Sequence, residues 1–209
     1  MTAPIAAADL RTAQILGSIR QAFAENGFDG ASMQNLAHAA EMSVGNFYRY
    51  FPSKAAIVEA IVTHDMEIIK QNFAAILDSP HPMESLRTTL AARLQGHDCK
   101  DDGPIWAEIT AAALRKPEIG AVVGRMEAEV VGNLVAVFAR HTGLHPDIAR
   151  QHYGSHAALI MMLVKATNMQ KFDAGSAHDD LMALTLRMID RILDEVSSDI
   201  QCDTIERQI

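Results

Sequence analysis

Cysteine, aromatic residues and long apolar runs are scarce in this sequence, and each scarcity excludes a class of protein. Cys99 and Cys202 are the two cysteines, and no C-x-x-C spacing occurs, so neither a disulfide framework nor a cysteine zinc site is indicated. We expect both to be free thiols. No apolar run reaches the roughly 18 residues of a membrane span, and the N-terminus lacks the basic and apolar segments of a secretion signal. The expected location is therefore the cytoplasm, with no membrane partner.

Aromatic residues make up 5% of the chain, although 49% of its residues are apolar. That apolar fraction is enough for a substantial core, and Ala, Leu and Met, which favour helices, supply much of it. Strand-like alternation of apolar and polar residues is missing throughout. This composition predicts an all-α protein.

Basic residues are too few for an overall positive charge, because 18 Lys and Arg face 26 Asp and Glu, which leaves a net charge of −8. The acidic excess is confined to residues 55–209. Residues 1–54 carry four basic and four acidic side chains and are neutral. Since an acidic surface repels nucleic acid, any contact with DNA is expected at the neutral N-terminal end.

Apolar periodicity, serine caps and Gly or Pro breaks predict about nine helices. The expected ranges are 10–26, 33–40, 44–50, 53–78, 83–97, 104–115, 117–141, 146–169 and 179–198, with a frayed tail from residue 199. Residues 1–54 form a predicted three-helix DNA-binding domain that includes the start of the linking helix. Residues 55–209 form a predicted helical domain for ligand binding and dimerisation.

Two short predicted helices joined by a tight turn, preceded by a longer helix, are typical of a helix-turn-helix. In such a pair the second helix enters the major groove, so one face must be apolar and the other short and polar. Here Val44, Phe47 and Phe51 have apolar spacing. The polar, DNA-facing side is expected to hold Ser43, Gly45, Asn46, Arg49 and Tyr50.

The stretch A-F-A-E-N-G-F-D-G-A-S-M-Q-N-L-A-H-A-A-E-M-S-V-G-N-F-Y-R-Y-F-P-S-K strongly resembles the DNA-binding domain of the TetR family of bacterial repressors. The resemblance covers about residues 10–60 at the level of motifs. It departs at Glu41 and Met42, where the family usually has Gly and Val, so the turn geometry and the local DNA affinity are expected to differ from those of the family. The resemblance implies a homodimeric repressor that binds a palindromic double-stranded operator and is released from it by a small apolar ligand.

The resemblance also implies roles for individual residues. Ser32, Met33 and Gln34 open the supporting helix near the DNA backbone, and Ser43 caps the next helix. Val44, Gly45 and Asn46 match positions that contact bases, and Asn46 could pair with adenine. Phosphate contacts are expected from Tyr48, Tyr50 and Lys54, and Arg49 could reach a base or the backbone.

The last two predicted helices are apolar on more than one side, which favours a four-helix dimer interface with two helices from each chain. The expected interface residues are Tyr153, Ala157, Ile160, Val164, Leu181, Leu184, Met188 and Ile192. A small apolar ligand is expected in a pocket, by analogy with the family. Its candidate lining is Trp106, Ile109, Ala113, Met126, Phe138 and Met162, although plain core packing is the alternative for each.

Other functions find less support in the sequence. His152 and His156 have the i, i+4 spacing of two metal ligands, but no third ligand is fixed by spacing, so no metal or cofactor is predicted. No G-x-S-x-G, phosphate-loop or H-E-x-x-H motif supports catalysis. We therefore expect no enzyme activity. The alternatives to a DNA-binding regulator are a helical ligand-binding protein whose DNA binding is weakened by Glu41 and, less favoured, an enzyme.

Overall fold

The computed structural model describes residues 3–95, 103–169 and 176–206. These residues form nine helices, and the described part contains no strand, which confirms the all-α prediction. Cys99 and the side chain of Cys202 lie outside the described part. The helices are α1 Ala3–Asn26, α2 Met33–Ala39, α3 Val44–Tyr50, α4 Lys54–Asp78, α5 Pro82–Gln95, α6 Gly103–Ala113, α7 Pro117–Thr142, α8 Pro146–Met169 and α9 Ser176–Glu206.

The terminal helices are longer than the sequence predicts. Helix α1 begins at Ala3 rather than near residue 10, because its first residues are mostly Ala and Pro4 is tolerated in a first turn. Helix α9 continues to Glu206, so the expectation of a frayed tail from residue 199 is wrong. No Gly or Pro interrupts that segment, and helix propensity alone permits the extension.

Three serine side chains start the helices around the helix-turn-helix, as predicted. Ser32 Oγ accepts a hydrogen bond from Asn35 N at 3.1 Å at the start of α2. Ser43 Oγ accepts one from the backbone N of Asn46 at 3.4 Å at the start of α3, and Ser53 accepts from Ala56 N at 3.2 Å just before α4. Such caps satisfy N–H groups that have no partner inside the helix.

The chain forms two compact units. The first comprises residues 1–67 and 102–126, and the second comprises residues 68–101 and 127–209. In the first unit α1 packs on α2 and α6, and α2 packs on α3. Its largest fully buried side chains include Phe23, Phe28 and Phe47, and the rings of Phe23 and Phe28 stack at 5.2 Å. This core holds the two short helices in place.

The second unit has its own apolar core, in which α5, α8 and α9 pack on one another. Phe138 on α7 is fully buried there and meets the Tyr153 ring edge-on at 6.2 Å. The predicted boundary between the DNA-binding domain and the ligand-binding domain, at residue 54, is a boundary between functions. It stays a prediction.

Candidate nucleic-acid interface

Helices α2 and α3 form a helix-turn-helix whose inner face is closed by apolar side chains. Leu36 of α2 and Phe47 of α3 are fully buried, and the Phe47 ring packs on Phe51 at 5.1 Å. The turn between the helices is held by a hydrogen bond from Met42 N to Ala37 O at 2.9 Å. The orientation of α3 is therefore fixed by burial on one side, which leaves its opposite side free.

The predicted base-contacting and phosphate-contacting residues of α3 are all exposed, including Val44, whose spacing with Phe47 predicts an inward position. Tyr50 and Tyr48 are 66% and 46% exposed, and Val44 is 41% exposed, which is unusual for such large side chains. The remaining exposed members of this surface are Ser43, Gly45, Asn46 and Arg49. We call these seven residues the α3 surface. Two aromatic side chains with polar tips beside a short polar stretch suit contact with a phosphate-lined groove.

The start of α2 contributes a smaller polar edge. Ser32 and Gln34 are exposed, and Met33 is half-buried. The Ser32 hydroxyl is occupied by the cap at the start of α2 and also contacts the Asn35 side chain. Its role in capping is established by geometry, whereas a DNA contact of this edge stays a prediction.

Lys54, expected at a phosphate, has most of its hydrogen-bonding capacity engaged inside the protein. Its ammonium donates to the backbone oxygens of Phe28 at 2.7 Å and Asp29 at 3.0 Å. Partial burial lowers the pKa of Lys54, and the nearby charge of Lys116 lowers it further. An ammonium group has three N–H donors, so one remains for a phosphate.

Glu41 occupies the turn between α2 and α3 in a left-handed conformation, with φ of 52°. This is the position at which the sequence departs from Gly, the residue that adopts this conformation without steric cost. The Glu41 side chain is exposed. The departure therefore has two physical consequences, a strained backbone and a carboxylate on the side expected to face DNA.

Replacing Glu41 with Gly is expected to raise the free energy of unfolding by about 0.5–1 kcal/mol, because the strain disappears. Operator affinity should also rise, since the carboxylate no longer repels phosphates. Urea unfolding and DNA titration measure the two effects. Glu41→Gln is the matched control, because it removes the charge and keeps the strain. A glycine variant less stable than the native protein would contradict the strain argument.

The candidate ligand-lining residues are spread over both units. Trp106, Ile109 and Ala113 on α6 belong to the first unit, with Ile109 fully buried and the other two half-buried. Met126 also belongs to the first unit and is half-buried. In the second unit Phe138 is fully buried, whereas Met162 is 59% exposed. The spacing of these residues in the sequence does not distinguish buried from half-buried or exposed positions. The ligand pocket stays a prediction.

The candidate dimer residues divide into buried and exposed groups. Tyr153, Ala157, Ile160 and Ile192 are buried in the core of the second unit, and Val164 is half-buried against it. Leu181, Leu184 and Met188 on α9 are 37%, 47% and 41% exposed.

Helix α8 carries three further exposed apolar side chains, of which Ile148 and Leu159 were not predicted as site residues and Met162 was predicted to line the ligand pocket. Ile148, Leu159 and Met162 are 41%, 45% and 59% exposed. Their spacing of eleven and three residues keeps them on one side of the helix, but the apolar residues Ile160 and Met161 between the last two make this side hard to distinguish from the core side by sequence. We group them with the exposed α9 residues under the name α8–α9 row, which comprises Ile148, Leu159, Met162, Leu181, Leu184 and Met188 on two helices that pack on each other.

The histidine pair of α8 does not assemble a metal site among the described residues. His156 Nε2 lies 3.4 Å from a carboxylate oxygen of Glu195, but no group of three His, Cys, Asp or Glu side chains able to hold a metal occurs in that part of the chain. Within the same part, none of the helices combines the length and apolar character that crossing a membrane requires.

Comparison with known proteins points to one family. The model of "Bacterial regulatory proteins, tetR family" matches residues 15–61, which include α2, α3 and the α3 surface. The transcriptional regulator UidR of Escherichia coli K12 is 28% identical over 110 residues, covering 53% of this chain and 55% of that protein. This chain therefore spans about half the length of that relative. The transcriptional regulator BetI of Burkholderia thailandensis is 26% identical over 159 residues, covering 73% of this chain and 78% of BetI.

Solved structures share the fold over nearly the whole chain. GusR of Salmonella enterica superposes with a TM-score of 0.64 at 24% identity, covering 93% of this chain and 98% of GusR. The TetR-family regulator PfmR of Thermus thermophilus superposes with a TM-score of 0.60 at 19% identity, covering 87% and 97%. At these identities the likeness establishes the fold. Residues 15–61 match the model of the TetR family of bacterial regulatory proteins, and the rest of the chain is similar to regulators of that family in fold.

Proposed function

We propose that this protein is a transcriptional regulator that binds operator DNA through the α3 surface and acts as a repressor. The α3 surface supports the proposal most strongly, because it exposes two tyrosines and a short polar stretch above a fully buried Phe47. A helix built in this way can enter the major groove, while its aromatic tips reach the flanking phosphates. The proposed setting is the cytoplasm. The relatives UidR and BetI are named as transcriptional regulators, which agrees with the proposal.

Within the α3 surface, the proposed roles follow the position of each residue on the helix. Val44, Gly45 and Asn46 occupy the first turn, where a helix entering a groove comes closest to the bases. Tyr48 and Tyr50 lie further along, where a hydroxyl can donate to phosphate. Lys54 adds the one N–H that its two carbonyl contacts leave over.

We also propose that the α8–α9 row is the contact between two copies of the chain. Six large apolar side chains of this row are at least 37% exposed, and a row of that kind on two adjacent helices is covered when a second copy packs four helices together. Pairing two copies presents two α3 surfaces, so the operator should be pseudo-palindromic.

Release by a small apolar molecule is proposed as the regulation, because ligand control is typical of the family. Trp106 on α6 is half-buried, so its fluorescence should change if the molecule binds against α6. Such a molecule can act only by binding the DNA-free state more tightly than the DNA-bound state.

A helical ligand-binding protein with weakened DNA binding is the second candidate, and the strained, negatively charged Glu41 favours it.

Selection from random DNA tests the proposal. The native protein should enrich a pseudo-palindrome, and affinity for it should fall steeply with added salt. Failure to enrich any site would refute DNA recognition and would favour the second candidate.

Two variants separate base contacts from phosphate contacts on the selected site. Asn46→Ala should lose discrimination at one position of each half-site, at a cost of about 1–3 kcal/mol. Tyr48→Phe should weaken binding to all sequences alike, since phosphates carry no sequence information. Titrations against single-base variants of the operator measure both effects. The assigned roles would be contradicted if Tyr48→Phe changed the base preference and Asn46→Ala did not.

A further inference from the structure

The turn between α1 and α2, residues 27–32, is held by side chains from α6 and from the turn that follows α6. Phe28 N donates a hydrogen bond to Glu108 Oε2 at 2.8 Å. The carboxylate of Asp29 accepts from Arg115 at 2.9 Å and from Lys116 at 2.5 Å. Residues about eighty positions later in the chain therefore bind both the backbone and the side chain of this turn.

The same turn is also bound from the start of α4. Lys54 donates to the backbone oxygens of Phe28 and Asp29, so the carbonyl side of the turn is held as well as its amide side. Over the buried Phe28 ring lie two ammonium groups, Lys116 at 4.9 Å and Lys54 at 5.4 Å. Ammonium groups at these distances are attracted to the ring face. We call Phe28, Asp29, Lys54, Glu108 and Lys116 the turn cluster.

The charges of the turn cluster depend on one another. Lys54 and Lys116 lie over the same ring and repel each other, and the Asp29 carboxylate offsets that repulsion. Hydrogen bonds from Lys116 and then Arg115 lower the pKa of Asp29, so it is ionised at neutral pH. Removing Lys116 therefore changes more than one surface ion pair, because it alters the environment of Lys54 and of the Phe28 ring.

Residues of the turn cluster lie on both sides of the helix-turn-helix in the sequence, with Phe28 and Asp29 before α2 and Lys54 after α3. Ser32, the cap of α2, follows Asp29 by three residues, and Lys54 begins α4 four residues after the end of α3 at Tyr50. Both ends of the helix-turn-helix are thus attached to one small group of contacts. A change at Glu108 or Lys116 reaches α2 through the turn and reaches the end of α3 through Lys54.

We propose that Glu108 and Lys116 are positioning residues for DNA recognition, which hold the turn cluster and thereby orient α2 and α3 without touching DNA. The inference rests on the proposed DNA-binding function. Neither residue belongs to the α3 surface, and the carboxylate of Glu108 is directed to a backbone N–H. The proposal therefore separates residues that contact DNA from residues that set the geometry of that contact.

The test uses the full chain with two pairs of variants. Glu108→Ala removes the acceptor for Phe28 N, whereas Glu108→Gln keeps an oxygen at the same place. Lys116→Met removes the ammonium and keeps the stem, whereas Lys116→Arg keeps the charge. For each protein we would measure operator affinity against salt concentration, amide hydrogen exchange of residues 27–36 without DNA, and thermal unfolding.

Weakened operator binding by roughly two- to thirtyfold is expected for Glu108→Ala and Lys116→Met. Their dependence of affinity on salt should equal that of the native protein, because no phosphate contact is lost. Exchange at Phe28 and at the start of α2 should be faster without DNA. Glu108→Gln and Lys116→Arg should restore most of the affinity and the slow exchange.

Three results would overturn the inference while leaving the proposed function intact. Unchanged exchange would mean that the turn does not depend on these contacts. If the variants showed faster amide exchange or a lower unfolding temperature but bound the operator with native affinity, Glu108 and Lys116 would contribute to stability and not to DNA recognition. In Lys116→Met, the slope of log affinity against log salt concentration could also fall by about one. That result would mean that Lys116 contacts a phosphate directly. Failure of the native protein to bind any operator would overturn both proposals.

Discussion

Replacing Met188 with Asp is expected to give a folded monomer that no longer binds the operator tightly. Met188 is 41% exposed in the single chain, so the substitution leaves the chain's own core nearly intact. In a two-fold dimer the same substitution occurs in both copies and buries two unpaired carboxylates, which is strongly unfavourable. Sedimentation should show the monomer, and the far-ultraviolet circular dichroism should remain helical.

Loss of operator binding in this variant follows from the loss of bivalency. One α3 surface makes few contacts, whereas a second surface attached to the first binds at a high effective concentration, which is commonly worth roughly a hundredfold or more in affinity. The α3 surface itself is untouched by the substitution. Tight binding by a Met188→Asp monomer would therefore contradict the dimeric architecture.

Two controls keep the dimer experiment interpretable. Ala183→Asp adds the same charge at an exposed position of α9 outside the α8–α9 row and should leave the dimer intact. Ile160→Asp is expected to prevent folding, because Ile160 is fully buried in the core of the second unit. If Ile160→Asp stayed folded and became monomeric, the dimer contact would include the buried α8 residues Tyr153, Ala157 and Ile160 and not only the α8–α9 row.

The case of α8 shows what periodicity can and cannot predict. The stripe Tyr153, Ala157 and Ile160 is apolar with helical spacing, and the structure buries it in the chain's own core. Spacing identifies an apolar stripe but not the partner that covers it. The exposed side of the same helix carries Leu159 and Met162, which only the packed structure distinguishes from the core.

The helix-turn-helix was more predictable because its signals are local. Ser32 and Ser43 cap within three residues, and Phe47 is set inward by the spacing of its own short helix. The turn cluster had no such signal. The contact of Glu108 with Phe28 joins residues eighty positions apart, and neither residue type nor neighbouring sequence predicts that pairing. Contacts of that range depend on tertiary packing.

Gly45→Glu is expected to stabilise the protein while abolishing operator binding. A Cβ at Gly45 would meet no atom within 4 Å and the position is exposed, so a longer side chain can extend into solvent in the free protein. Gly45 is the second residue of α3, where loss of glycine's flexibility should add about 0.5–1 kcal/mol to the free energy of unfolding. A carboxylate there is also favoured by the helix dipole.

DNA binding should change in the opposite direction. The same position is proposed to face the bases, where a long carboxylate is close to phosphates and meets like charge at a cost of several kcal/mol. We therefore expect operator affinity to fall by at least about a hundredfold. Urea unfolding and operator titration on one preparation measure both effects. Gly45→Ala is the matched control, because it gains the helix stability without the charge. A Gly45→Glu variant that binds the operator as the native protein does would show that α3 does not enter the groove by its first turn, since a carboxylate at that depth cannot be accommodated without loss of affinity.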